Sequence, residues 1–193
     1  MIQIAGAEFT RLIIENPSWC KDLRKPLEVV TYVNLESSKI THLSPLITFS
    51  GINNLGWAAD FHNCKHLKIA TGTFYGPTDF NNSGVEKIEN LTVTDSEIYS
   101  TNFSNCKNLK VATGTFEGFV NFAGSGIETI KDLIIKNQDS DGHKAYFTTC
   151  PIVHVPKAYR NKEFIFDEGI IENSILRDKT IEKIKSEASL IEL

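Results

Sequence analysis

Apolar residues recur along this chain in short clusters of the form L-x-x-L-x-L, separated by polar and glycine-bearing stretches. The strongest copies are Phe61-His-Asn-Cys-Lys-His-Leu-Lys-Ile-Ala-Thr-Gly-Thr-Phe-Tyr-Gly76 and Phe103-Ser-Asn-Cys-Lys-Asn-Leu-Lys-Val-Ala-Thr-Gly-Thr-Phe-Glu-Gly118, 42 residues apart. Self-similarity at that period is the mark of a repeat architecture. Each long repeat divides into a Cys-x-x-Leu-x-Val/Ile half and an Ile/Leu-x-x-Leu-x-Val/Ile/Thr half. Their central apolar positions are Leu27, Leu46, Leu67, Leu91, Leu109, Leu133 and Val153. The spacing predicts about seven short parallel strands whose apolar residues point inward, stacked about 4.8 Å apart. In this reading Phe74 and Phe116 wedge the far side of the coil. Phe61, Phe103 and Phe147 form a second aromatic stack. Gly72 and Gly114 permit a turn, and Ser83-Gly84 and Ser125-Gly126 mark bends into the next rung.

The ends break the period. In residues 1–26, Phe9, Leu12 and Ile13 fall at helical spacing. Asn16-Pro17 then predicts a second helix carrying Trp19, Cys20 and Leu23. These form a helical N-terminal cap, which a solenoid needs so that its first rung does not expose its core. Residues 27–155 carry the repeats. Residues 156–193 hold a degenerate last repeat, in which Phe166 and Gly169-Ile170 echo Phe122 and Gly126-Ile127 without completing a rung. A C-terminal helix follows, with Asp178 as its cap and Ile181, Ile184, Ala188 and Ile191 on one stripe. The expectation is one domain: a mainly β solenoid of α/β type with helical caps.

The rung motif, above all Phe-x-x-Cys-x-x-Leu, resembles leucine-rich-repeat proteins of the bacterial BspA-like branch over about residues 27–155. The Ala-Thr-Gly-Thr-Phe segment departs from that consensus. The resemblance implies a leucine-rich-repeat-like curved solenoid that binds macromolecules with its strand face, and it implies no catalytic residues.

Composition narrows the partners. The chain of 193 residues carries a net charge of -4 with a pI near 5.7. That argues against a nucleic-acid partner, which wants a basic face. No run of 18 apolar residues is present, so no membrane span is expected. The N-terminus lacks a basic segment followed by an apolar one, which points to the cytoplasm.

Cys64, Cys106 and Cys150 occupy one repeat position on alternate rungs. Neighbours are then about 9–10 Å apart, too far for a disulfide. His62-Asn-Cys64-Lys-His66 suits zinc by residue type, but only the Cys recurs in the next copies, so it belongs to the fold. Asn137-Gln-Asp139-Ser-Asp141-Gly142 resembles the start of a calcium loop, yet position 12 would be Thr148 where a Glu is required. It reads as a turn. Ala70-Thr-Gly-Thr-Phe-Tyr-Gly76 lacks the Gly-Lys-Ser/Thr ending of a phosphate loop. No catalytic constellation stands out, and no cofactor is expected.

The residues expected to point out of the strands are Glu28, Ile47, Lys68, Thr92, Lys110, Ile134 and His154, with Lys65 and Lys107 at strand entries. From these comes a predicted contact face of Lys65, Lys68, Lys107, Lys110, Ile47, Ile134 and His154. The function expected is a non-enzymatic protein-protein interaction module. The alternatives are a parallel β-helix polysaccharide-active enzyme and a cell-surface adhesion protein.

Overall fold

The computed structural model describes residues 1–94 and 101–191. The chain is a mainly β parallel solenoid of about seven turns, with one helix near each end. In chain order the strands are β1 (Ile2–Ile4), β2 (Leu27–Val29), β3 (Val33–Asn34), β4 (Ile47–Phe49), β5 (Ala59–Asp60), β6 (Ile69–Tyr75) and β7 (Thr78–Asp79). They continue as β8 (Lys87–Thr94), β9 (Thr101–Asn102), β10 (Val111–Phe116), β11 (Val120–Asn121), β12 (Thr129–Ile135), β13 (Ala145–Tyr146) and β14 (Phe164–Ile165). They form two parallel seven-stranded sheets: β1-β2-β4-β6-β8-β10-β12, and β14-β13-β11-β9-β7-β5-β3. Each turn therefore lays a strand in the first sheet, turns a corner and lays a short strand in the second.

The strand register differs from the one read in the apolar clusters. Leu27 pairs with Ile47, Thr48 with Thr73, and Gly72 with Leu91. The extended segment is Ala-Thr-Gly-Thr-Phe itself, not Cys-x-x-Leu. The reason is local. Asn63 and Asn105 take left-handed φ values of 61° and 59°, which Asn tolerates better than most residues. The Cys64 and Leu67 N–H groups then close tight bonds to the Phe61 and Cys64 carbonyls. The chain straightens only from Ile69 or Val111. Leu67 and Leu109 are still fully buried, on the return side of the coil. The two Ala-Thr-Gly-Thr-Phe copies share one conformation, with Gly72 and Gly114 at φ 108° and 114°.

Two aromatic ladders fill the interior. Phe49, Phe74 and Phe116 sit at equivalent register in the first sheet, with Val93 between the last two. Beneath the second sheet, Phe61, Phe80, Phe103, Phe122, Phe147 and Phe166 stack in one column with centroids 4.8–5.5 Å apart. The sequence pattern finds alternate members of this column. The others follow Asp79, Asn121 and Ile165 in rungs that carry Ser, or no cysteine at all, where their neighbours carry Cys. Ser38, Ser83 and Ser125 each lie 3.4 Å from the thiol one rung on, at Cys64, Cys106 and Cys150.

The ends also correct the expectation. Residues Ile2–Ile4 are not outside the array: they form its first strand, parallel to β2. Helix α1 (Gly6–Glu15) covers the edge of the second sheet by burying Phe9 and Ile13. The second predicted helix is a single 3-10 turn at Trp19–Asp22. At the other end Phe164–Ile165 adds a strand to the second sheet, so the last rung is half complete. Helix α2 (Ile170–Ile191) starts at Ile170, and Asp178 lies inside it rather than capping it. Its stripe residues Ile181 and Ile184 are exposed. The side chains of Ala188 and Ile191 lie outside the described residues.

Candidate functional site

Two outer faces carry side chains free of the core. On the first sheet, alternation sends one residue of each strand outward. The register aligns Gln3, Glu28, Thr48, Thr73, Thr92, Thr115 and Ile134 in one file. Four consecutive members are threonine, so the centre of this file is uncharged. β-Branched threonine also suits a pleated, half-buried surface. Tyr75, Val111 and Ile134 stand out from this face at 46%, 37% and 55% exposure. Charge flanks these threonines: Glu28 precedes them in the file, Lys87 and Glu89 are exposed on β8, and toward the last rungs Lys136 pairs with Glu117 at 2.6 Å.

The predicted contact residues do not share that face. Ile134 is on it, but Ile47 is turned inward at 1% exposure, because Thr48 is the outward residue of β4. Lys68 and Lys110 precede their strands and pair with Glu86 and Glu128 at 2.6 and 2.7 Å. The Lys65 and Lys107 ammonium groups donate to the Asn82 and Gly124 carbonyls of the next rung, so they tie rungs together. His154 belongs to the C-terminal cap. Its Nε2 lies 2.9 Å from Asp178, which also accepts from Arg160 at 2.7 Å. These bonds to His154, and then to Arg160, hold the Asp178 carboxyl below the usual range.

The outer face of the second sheet carries a file that the apolar pattern missed. Asn34 precedes the buried Leu35, while Asp60, Asp79, Asn102 and Asn121 each precede a column phenylalanine, and each side-chain Oδ1 accepts the N–H two residues on, at 2.7–3.0 Å. Asp60 pairs with Asp79 across neighbouring strands. Beside them, the loop at 50–58 folds over. Asn53 Oδ1 accepts from the Leu55 and Trp57 N–H groups at 2.9 and 3.0 Å, which fixes the indole-bearing residue. Together these residues enclose a cleft of about 200 Å³ lined by Tyr32, Asn53, Leu55, Trp57, Asp60 and Asp79. Burial pushes the Asp79 carboxyl up, and Asp60 adds to the rise. Burial also raises the Tyr32 phenol, reinforced by Asp60, Asp79 and Glu36. The signal available in the sequence was the repeated Asp-Phe pair at 60–61 and 79–80. It appears only when the rungs without cysteine are aligned with those that have one.

No protein-family model, curated protein or solved structure matches this chain.

The loop at Asp139–His143 repeats the fold of Asn53–Trp57. Asp139 Oδ1 accepts from the Asp141 and His143 N–H groups at 2.9 and 2.8 Å. Asp139, Asp141 and His143 each offer an atom within 4.8 Å of the others. The same bonds that shape the turn bring them together, as in the Asn53 loop, which has no such set. His62 and Cys64 do not converge. The Cys64 thiol is buried and donates to the Leu35 carbonyl at 3.0 Å, while His62 lies outside near Glu36. All four cysteines are free and buried. Burial pushes the Cys20 thiol up to about 12 and raises Cys64, Cys106 and Cys150 as well.

Proposed function

We propose that this protein is a non-enzymatic binding module that holds a protein partner against the outer face of its first sheet. The observation that carries the reading is the uncharged threonine file with Tyr75, Val111 and Ile134 exposed on the same face. Exposed apolar groups gathered on one face of a protein are a feature of interaction surfaces. Stacked rungs supply a rigid surface, so little ordering is needed on binding. The leucine-rich-like rung motif supports the same reading, since proteins of that kind bind macromolecules through their strands. The buried free thiols fit a reducing, cytoplasmic setting. Among the described residues no helix is long and apolar enough to cross a membrane.

The test is recovery of partners from a native host lysate with three proteins: the parent, Tyr75→Glu/Ile134→Glu and Lys68→Glu/Lys110→Glu. The expected result is a specific partner lost with the first variant and retained with the second. Unchanged recovery with Tyr75→Glu/Ile134→Glu removes this face from consideration.

A further inference from the structure

The cleft on the second sheet holds charge that the fold does not require. At the same register position Asn34, Asn102 and Asn121 form the same side-chain-to-backbone turn, with bonds of 3.0, 3.0 and 2.9 Å. Aspartate stands in that file only at 60 and 79, the two rungs that line the cleft. Like charges directly opposed on neighbouring strands are destabilising. Among the described residues no Lys or Arg lines the cleft to offset them. Asn53, Leu55 and the aromatic residues Tyr32 and Trp57 complete the lining, and an aromatic face attracts cations. The volume, about 200 Å³, is below the range of drug-sized pockets. It suits an ammonium or guanidinium head and not a chain of sugars. The Trp57 backbone is fixed by its N–H, which donates to Asn53 Oδ1, and by its carbonyl, which accepts from the Asn53 N–H at 2.9 Å.

From this geometry we infer that the cleft between Trp57, Tyr32 and the Asp60–Asp79 pair is a binding site for an organic cation of the alkylammonium type. The two carboxylates supply the counter-charge and the rings supply the walls. The site lies on the sheet opposite the threonine file, so it stands or falls independently of the partner face. The same chemistry has two sources: a free quaternary ammonium compound, or a lysine side chain of a protein.

The experiment uses the full chain in a Trp19→Phe background, which leaves Trp57 as the reporting indole. Its emission is followed during titration with tetramethylammonium chloride and with acetyl-Gly-Lys-Gly-amide. Acetyl-Gly-norleucine-Gly-amide and galactose serve as neutral controls, all at constant ionic strength. The expected result is a saturable change with at least one cation and none with the controls. Tetramethylammonium alone identifies a free ammonium ligand. A stronger response to the lysine peptide identifies a protein side chain. Asp60→Asn/Asp79→Asn keeps the Asx turns, so its melting temperature should equal or exceed the parent's while affinity falls at least about tenfold. Trp57→Leu, read by calorimetry, should weaken binding roughly 3- to 30-fold. No saturable response up to about 100 mM, an equal response to galactose, or unchanged affinity in the double variant overturns the proposal.

Discussion

Replacing Phe103 with alanine tests the column that holds the rungs together. Phe103 is fully buried and stacked between Phe80 and Phe122, with centroids 4.8 and 5.5 Å away, and meets Phe116 edge-on at 6.3 Å. Truncating a buried phenylalanine costs about 3–5 kcal/mol from lost transfer energy and the cavity left behind. Aromatic pairs add about 0.5–1.5 kcal/mol each beyond burial, so a ring stacked on both sides belongs at the upper end, about 5 kcal/mol. Total stability for a chain of this size is about 5–15 kcal/mol. The variant should therefore lose between a third and all of it. Phe166 provides the comparison. It is half-buried and ends the column, with only Phe147 stacked on it at 5.1 Å. Phe166→Ala should cost about 1–2 kcal/mol, because one neighbour is lost and the side chain was never fully removed from water. The assay is urea unfolding followed by far-UV circular dichroism. Breaking the column mid-array should also lower the denaturant slope, as the two halves of a one-dimensional stack begin to melt separately. Phe103→Leu should recover most of the loss, since shape is only partly conserved but the cavity is small. Equal costs at 103 and 166, or less than about 2 kcal/mol at 103, would refute the view that the column carries the coupling between turns.

Two further outcomes follow from particular contacts. A Cβ added at Gly126 would fall on the Lys107 carbonyl, and one at Gly84 on the Lys65 carbonyl. Either Gly→Ala change should cost about 3 kcal/mol or more in the same denaturation assay. Gly56→Ala, left-handed at φ 83° but facing open space, should cost only about 1 kcal/mol. In the C-terminal cap, Asp178 has a lowered folded carboxyl value owing to His154 and Arg160. Its contribution is therefore fully present above the unfolded value near about 4 and disappears as pH falls through the lowered one. Acid titration of Asp178→Asn against the parent should show the curves converging below about pH 4. Parallel curves would mean that the clamp contributes nothing.

Much of this fold could be read from apolar positions, and the reasons for the errors are physical. Burial is what a pattern of leucines reports, and Leu67 and Leu109 are core in both the pattern and the structure. Pattern alone does not say whether a buried residue sits in a strand or in the turn before it. Asn63 and Asn105, in left-handed conformation, decide that point and push the strands on to Ile69 and Val111. A separate slip of one residue, with Leu46 in place of Ile47 as the partner of Leu27, turns Ile47 outward in the apolar pattern although it is core. The acidic cleft was hidden for a different reason: the most conspicuous repeat links alternate turns. Asp60 precedes a Phe in a turn with Cys64, and Asp79 precedes one in a turn with Ser83. Aligning only the cysteine-bearing turns keeps these neighbours apart, although β5 and β7 are adjacent.

The two-turn period also explains where variable chemistry can collect. Among the described residues, connections from the first sheet to the second are short at 30–32, 76–77 and 117–119 and long at 50–58 and 136–144. The long ones adopt the same five-residue turn, closed by Asn53 in one case and Asp139 in the other, with Gly56 and Gly142 both at φ 83°. They lead into β5 and β13, four strand steps apart, which is about 19 Å along the stack. The turn constrains its first residue and its glycine and leaves the last position open. That position is Trp57, which lines the cleft with Asp60, in one loop, and His143 against Tyr146 with centroids 5.5 Å apart in the other. Residues that build the rungs must recur, because each meets a copy of itself. A side chain carried on a long connection has no such neighbour. Selection for a ligand can change it without disturbing the column, so such loops are where two otherwise equivalent turns can acquire different binding properties.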